Sequence, residues 1–296
     1  MQFQYWLMAI RPRTLPAAIS PLLLGNVLAW YQGQFSWLVA GCAMLCGVLL
    51  QIGVNLANDY FDFKSGVDTE ARLGPTRVTQ AGLLAPTAVR NAMALSLVLA
   101  VAVGLYLIYV GGWPIAVLAA LAVAGALGYS GGPYPIASLG LGEVAAFVYF
   151  GLVAVVGVYF IQTGHTDLPA WLLASALGLY NAAIMLVNNT RDIATDTEAG
   201  KRTLAVRIGQ HSARMLYRAL VLLPFLMITV AWLLGALPGQ TVLLAAIAAP
   251  MAVKLASAFE QTEGAALNPL LGRTAQLTLV YSLLCSLGLI LARWMA

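Results

Sequence analysis

The chain has 296 residues, 61% of them apolar and only 9% charged, with a formal net charge of +4 and a mean hydropathy of +0.87. A soluble domain is roughly 45–50% apolar, so this composition excludes a single water-facing fold and points to a polytopic membrane protein. The small positive balance reads as membrane topology and phosphate chemistry, and makes nucleic acid a poor candidate partner.

Apolar runs of about twenty residues recur along the chain, long enough to cross a hydrocarbon layer about 30 Å thick. They are continuous rather than alternating, which excludes transmembrane strands and predicts an all-α fold. Taken in order, the spans fall at 15–32, 36–58, 87–110, 113–129, 139–161, 168–189, 213–236, 240–258 and 275–294, nine helices in one intramembrane domain. The first is preceded by "RPRTLP" and is a full-length span rather than a short signal h-region, so no cleavable leader is expected. Cys42 and Cys46 in the second span and Cys285 in the last read as small packed residues, and His165 and His211 as loop residues rather than ligands.

The second span ends in "NLANDYFDFKSGVDTE", residues 55–70. Asn55, Asp59 and Asp62 are spaced i, i+4, i+7 and share a helix face; Asn58 and Asp62 form an overlapping pair, and Asp68 follows after Gly66 lets the chain turn. Arg77 and Gln80 follow in "RVTQ". The fifth span opens near Glu143, which reads either as a partner of the helix N-terminus or as a polar contact of a site. The sixth closes in "NNTRDIATDTEAGKRTLAVRIG", residues 188–209, where Asn188 and Asn189 precede Asp192 and Asp196, one turn apart, and Lys201 and Arg202 come after. One pattern is thus written twice: helix, amide, acidic pair, glycine, basic loop. This suggests a weak internal repeat centred on 55–68 and 188–202.

Lysine and arginine are absent from 31–36, 110–114, 162–168 and 235–240, and cluster in the alternate loops. By the positive-inside rule the N-terminus and both acidic clusters are expected on the cytoplasmic side and the C-terminus outside. Carboxylates at the ends of membrane helices are costly and usually functional. Their mutual repulsion is relieved by a divalent cation, and an oxygen-only donor set favours Mg²⁺, Mn²⁺ or Ca²⁺ over zinc. Mg²⁺ is commonly shared between a few carboxylates and substrate phosphate oxygens. Asp59, Asp62, Asp68, Asp192 and Asp196 are therefore the expected metal-binding and catalytic residues. Lys64, Arg72, Arg77, Lys201 and Arg202 are the expected partners of a polyphosphate, with Asn58, Asn188 and Asn189 as neutral site groups. A secondary transporter would place ionisable residues near the bilayer midplane rather than at helix ends. A phosphotransferase acting on CDP-alcohols would carry one aspartate-rich segment of different order.

"NDYFDFKSGVD" at 58–68 and "RDIATD" at 191–196 resemble the two aspartate-rich motifs of the UbiA superfamily of intramembrane prenyltransferases. "RPRTLPAAISPLLLG" and "YSGGPYPIASLGLGE" extend the resemblance over most of the chain. Position 66 is glycine and the third carboxylate is displaced to Asp68, which is similar to the 1,4-dihydroxy-2-naphthoate branch, as is the segment holding Arg77 and Gln80. The resemblance implies nine helices around a chamber open to lipid and capped by cytoplasmic loops, in the bacterial inner membrane. It implies Mg²⁺-dependent transfer of a polyprenyl group from polyprenyl diphosphate to 1,4-dihydroxy-2-naphthoate with loss of CO₂, a step in menaquinone synthesis. Hydroxybenzoate, homogentisate or a naphthoquinol is the alternative acceptor. Tyr60, Tyr129, Tyr149 and Tyr180 are candidates for stabilising an allylic cation through their ring faces.

Overall fold

A computed structural model describes residues 2–66, 73–132 and 134–295. The elements are α1 (Gln2–Ile10), α2 (Leu15–Tyr31), α3 (Trp37–Lys64), α4 (Pro86–Gly128), α5 (Gly142–Thr163), α6 (Leu168–Arg191), α7 (Ile193–Glu198), α8 (Leu204–Leu233), α9 (Gly239–Glu260) and α10 (Asn268–Met295). Among the described residues, eight segments are long and apolar enough to cross a membrane, against the nine expected. The difference lies in α4. The expected helices at 87–110 and 113–129 run as one 43-residue segment joined across a kink at Gly112, whose φ of 70° and ψ of −160° are open to glycine but not to a side chain. The span expected at 213–236 likewise starts earlier, at Leu204, with a break at Gly209.

Local chemistry starts these helices where they start. Ser36, Asp167 and Thr203 cap α3, α6 and α8 by accepting the backbone N–H of Val39, Ala170 and Val206, each satisfying one orphan donor of a first turn. Prolines in the first turns of α2, α4 and α6 cost nothing, because those N–H groups lack a helical partner.

Helix α6 forms the middle of the bundle, with Leu173, Leu177, Tyr180 and Leu186 fully buried. Close approach of its neighbours depends on small residues, as expected where lipid removes the hydrophobic drive between helices. A Cβ on Gly151 of α5 would lie 2.5 Å from Gly178 Cα and 2.6 Å from Ala174 O of α6. A Cβ on Gly288 of α10 would lie 2.4 Å from Thr241 Cα of α9. Around the Gly151 crossing, Phe147–Val156 widens into π-helical turns. Such turns are rare and often border functional sites; these carry Tyr149, Phe150, Val153 and Ala154 onto the cavity described below.

The bundle has an aromatic rim at one end. Trp37 and Trp294 at the ends of α3 and α10, and Tyr109 and Trp113 beside the Gly112 kink of α4, are all more than three-quarters exposed, and indole and phenol groups suit a membrane–water boundary. At the same end Arg293 stacks over the Trp30 ring at 4.3 Å.

Candidate active site

A cavity of about 1,220 Å³ runs through the bundle. On α3 its lining extends from Ala43 to Asp62, which at 1.5 Å per residue is about 28 Å, close to the whole hydrocarbon thickness. The two acidic helix ends share this space. Asn58 and Asp62 from α3 line it together with Asn188, Asn189, Arg191, Asp192, Asp196 and Lys201 from the α6–α7 region. Inward from there the wall turns apolar and small: Gly47, Leu50, Gly104, Leu107, Ile115, Leu118, Ala122, Gly157 and Ile161.

The polar residues of α3 that face the cavity are Gln51, Asn55, Asn58 and Asp62. Asp59 is not among them. One helical residue turns the side chain by about 100°, and this places Asp59, 1% exposed, against the following loop. There its two oxygens accept the backbone N–H groups of Val78 at 3.2 Å and Thr79 at 3.0 Å. The loop so anchored delivers Arg77, which is buried and pairs with Asp62 at 2.7 Å.

Each cavity-lining carboxylate faces a local cation: Asp62 with Arg77, Asp192 with Arg191, and Asp196 with Lys201 at 3.6 Å. Burial pushes the Asp196 carboxyl above its ordinary value, with Asp192 adding to the rise and Lys201 holding it down. Among the described residues no three acidic, histidine or cysteine side chains converge on one point. The described members of the set therefore do not form an all-protein cage. Hard oxygens on facing walls with basic groups between them fit Mg²⁺ held by one or two carboxylates and completed by phosphate oxygens.

The amides are oriented by their partners. Asn58 Oδ1 accepts from Ser130 Oγ at 2.7 Å, which turns its amide N–H₂ elsewhere. Asn188 Oδ1 accepts from Arg191 at 2.9 Å, and Asn189 Nδ2 donates to Glu143 Oε1 at 2.9 Å. Glu143, buried at the start of α5, is thus a polar contact of the site wall. Of the expected basic groups, Arg77 and Lys201 reach the cavity, whereas Lys64 and Arg202 are exposed and outside its lining, as is half-buried Gln80. Asp68 and Arg72 lie outside the described residues. Tyr129 and Tyr149 line the cavity; Tyr60 and Tyr180 do not.

Two residues here did not emerge from the sequence. Arg191, 2% exposed, donates from Nε to Asp192 at 2.8 Å and from Nη1 to Asn268 Oδ1 at 2.9 Å. Asn268 in turn donates to the carbonyl of Leu73 at 2.8 Å. The chain ties the second acidic end to the start of α10 and to the loop after the first. Arg191 stands within the "NNTRD" run, yet only its burial distinguishes it from a topology signal.

The model of the UbiA prenyltransferase family matches residues 18–280. The 1,4-dihydroxy-2-naphthoate octaprenyltransferase of Escherichia coli (strain K12) is 38% identical over 99% of this chain and 97% of its own length. The enzyme of the same description from Mycobacterium tuberculosis (strain ATCC 25618 / H37Rv) is 38% identical over 95% of each. A solved UbiA homolog from Archaeoglobus fulgidus bound to GPP and Mg²⁺ superposes with a TM-score of 0.65 at 15% identity, over 95% of this chain and 99% of that one; at that identity the likeness is one of fold.

Proposed function

The chain belongs to the UbiA prenyltransferase family, and from that premise we propose that it transfers a polyprenyl group from its diphosphate to the ring of 1,4-dihydroxy-2-naphthoate, with loss of the ring carboxylate as CO₂. The observation that carries the reading is that both acidic helix ends line one cavity whose remaining wall is apolar and about as deep as a bilayer leaflet pair. A diphosphate headgroup belongs at the polar end and an isoprenoid chain in the bore. Relatives described as naphthoate octaprenyltransferases over nearly the full length favour that acceptor. The protein is a multi-pass membrane enzyme; we place it in the bacterial inner membrane, and the distribution of basic residues supports an orientation with the acidic ends cytoplasmic.

Asp62, Asp192 and Asp196, with Asp68 from outside the described residues, would hold Mg²⁺. When bound it neutralises charge building on the leaving diphosphate. Arg77, Arg191 and Lys201 pair with these carboxylates. Arg77 and Lys201 are placed to turn toward phosphate oxygens, and Arg191 keeps the Asp192 carboxylate in register. Preorganised charges of this kind act most strongly where water is excluded. As the allylic C–O bond breaks, the electron pair leaves with the diphosphate. The apolar wall keeps water from the carbocation, and the Tyr129 and Tyr149 ring faces stabilise it. The electron-rich naphthol ring attacks, and loss of CO₂ restores aromaticity.

The test is purified protein incubated with polyprenyl diphosphates and three acceptors (dihydroxynaphthoate, 4-hydroxybenzoate and homogentisate), with products read by mass spectrometry. A prenylated, decarboxylated naphthol is expected, abolished by EDTA and restored by Mg²⁺. Asp62→Ala and Asp192→Ala should each abolish turnover in an inserted, folded protein. Near-wild-type activity in either would overturn the ligand assignment, and product from another acceptor alone would overturn the naphthoate.

A further inference from the structure

One wall of the cavity holds a polar ladder that the diphosphate chemistry leaves unused. Gln51 lies in mid-α3, 7% exposed, seven residues and about 10 Å along the axis inward of Asn58. Its Nε2 donates to Asn55 Oδ1 at 3.2 Å. Asn55 Nδ2 donates to the carbonyl of Ile10 at 2.7 Å and to Thr14 Oγ1 at 3.1 Å. Thr14 Oγ1 donates to the carbonyl of Arg11 at 3.0 Å. The ladder therefore joins the middle of α3 to the turn between α1 and α2, and Arg11, Arg13, Thr14, Gln51 and Asn55 all line the cavity.

The direction of each amide follows from its neighbour. Asn55 faces two oxygen acceptors with its nitrogen, so its oxygen must point at Gln51, and Gln51 must answer with its own nitrogen. Flipping either amide would set like atoms against each other. Gln51 Oε1 is left buried with no hydrogen-bond partner. Leaving such an acceptor bare is costly, so its natural complement is a donor carried by a ligand. Arg11 adds a second mark: it is the one non-glycine residue among those described with positive φ, at 56°. Strain of this kind gathers at ligand clamps. Arg13, two residues on, is exposed at the cavity wall with no ion pair among the described residues.

We propose that this wall is the subsite for the aromatic acceptor, with Gln51 Oε1 accepting a hydrogen bond from a ring hydroxyl and Arg13 taking the ring carboxylate. The subsite rests on the proposed reaction and gives it a direction. The acceptor lies inward of the acidic ends, beside the place where the allylic carbon emerges from the diphosphate. A ring lacking the hydroxyl leaves Gln51 bare.

The experiment compares 1,4-dihydroxy-2-naphthoate with 1,4-dihydroxynaphthalene, which keeps the hydroxyls and lacks the carboxylate. Binding of each, without donor, is measured by quenching of protein fluorescence. Turnover then gives KM for acceptor and donor separately. Gln51→Leu should weaken both naphthalenes by about tenfold, the loss of one hydrogen bond to a buried acceptor. Arg13→Gln should weaken only the carboxylate-bearing one. Donor KM should stay within twofold in both variants, which also shows that the fold and the diphosphate site persist. Acceptor binding unchanged in Gln51→Leu, or a donor KM that rises in step, overturns the subsite. A wild type that binds both naphthalenes but prenylates neither overturns the proposed acceptor instead, while the binding ratios still decide the role of Gln51.

Discussion

Asp59→Ala separates a metal ligand from a loop anchor. In the structure its carboxylate holds two buried backbone donors, Val78 N–H and Thr79 N–H. Truncation strands both. An unsatisfied buried donor costs about 1–3 kcal/mol, so the pair amounts to about 2–6 kcal/mol. This is concentrated in a loop that is otherwise closed by short turns, such as Ala81 N–H to the Arg77 carbonyl and Leu83 N–H to the Val78 carbonyl. Because local opening has its own free energy, the loss appears there first. Amide exchange at Val78 and Thr79 should quicken by a factor of about 30 at the low end of that range, while α6 and α10 keep their protection. Released with the loop, Arg77 no longer sits on Asp62, so KM for the diphosphate should rise. The Mg²⁺ concentration for half-maximal activity should change little. Asp62→Ala should do the reverse, shifting the Mg²⁺ dependence and leaving the two amides protected. Hydrogen exchange read by mass spectrometry and Mg²⁺ titrations decide between them. Wild-type protection of Val78 and Thr79 in Asp59→Ala, together with a Mg²⁺ dependence displaced as far as in Asp62→Ala, would refute the anchor.

Gly104, in the apolar part of the cavity wall, has no atom nearer than Cys46 Sγ at 4.0 Å to a built Cβ, so Gly104→Phe fills bore rather than protein; turnover of long polyprenyl diphosphates should fall at least tenfold more than that of geranyl diphosphate, and an unchanged ratio would place the chain elsewhere. Gly288→Ala drives a methyl into the Thr241 backbone, where no rotamer change gives relief; a loss of about 1–3 kcal/mol is expected, read as a lower melting temperature in detergent, and an unaltered melting temperature would contradict the α9–α10 contact. Lys201 is the largest influence holding down a carboxyl that burial raises. Lys201→Met lets Asp196 rise further, so its proton persists to higher pH and the acid limb of kcat/KM for the diphosphate moves upward; a limb that stays in place would separate Asp196 from the site.

What could be read in the sequence and what could not divide along the range of the interactions involved. Apolar length is a property of contiguous residues, so the spans and the two acidic ends were legible, and so was the weak point at 110–114. Whether residues on the two sides of Gly112 count as one segment or two depends on a single backbone angle that composition does not contain. The stripe on α3 was legible to within one residue. A 3.6-residue period groups Asn55 with both Asp59 and Asp62, and only the arrival of residues 78 and 79 decides that Asp59 turns to the loop while Asn58 turns to the cavity. Arg191 and Gln51 were silent for the same reason. The role of Arg191 comes from Asn268, 77 positions away, and that of Gln51 from a ladder ending at a turn some 40 residues earlier. A polar side chain in a membrane helix announces that it has a partner, but the partner's identity is a tertiary fact. This is why the sequence pointed at the chemistry of the diphosphate, written in adjacent acids, and left the polar ladder between α3 and the α1–α2 turn to be found in the structure.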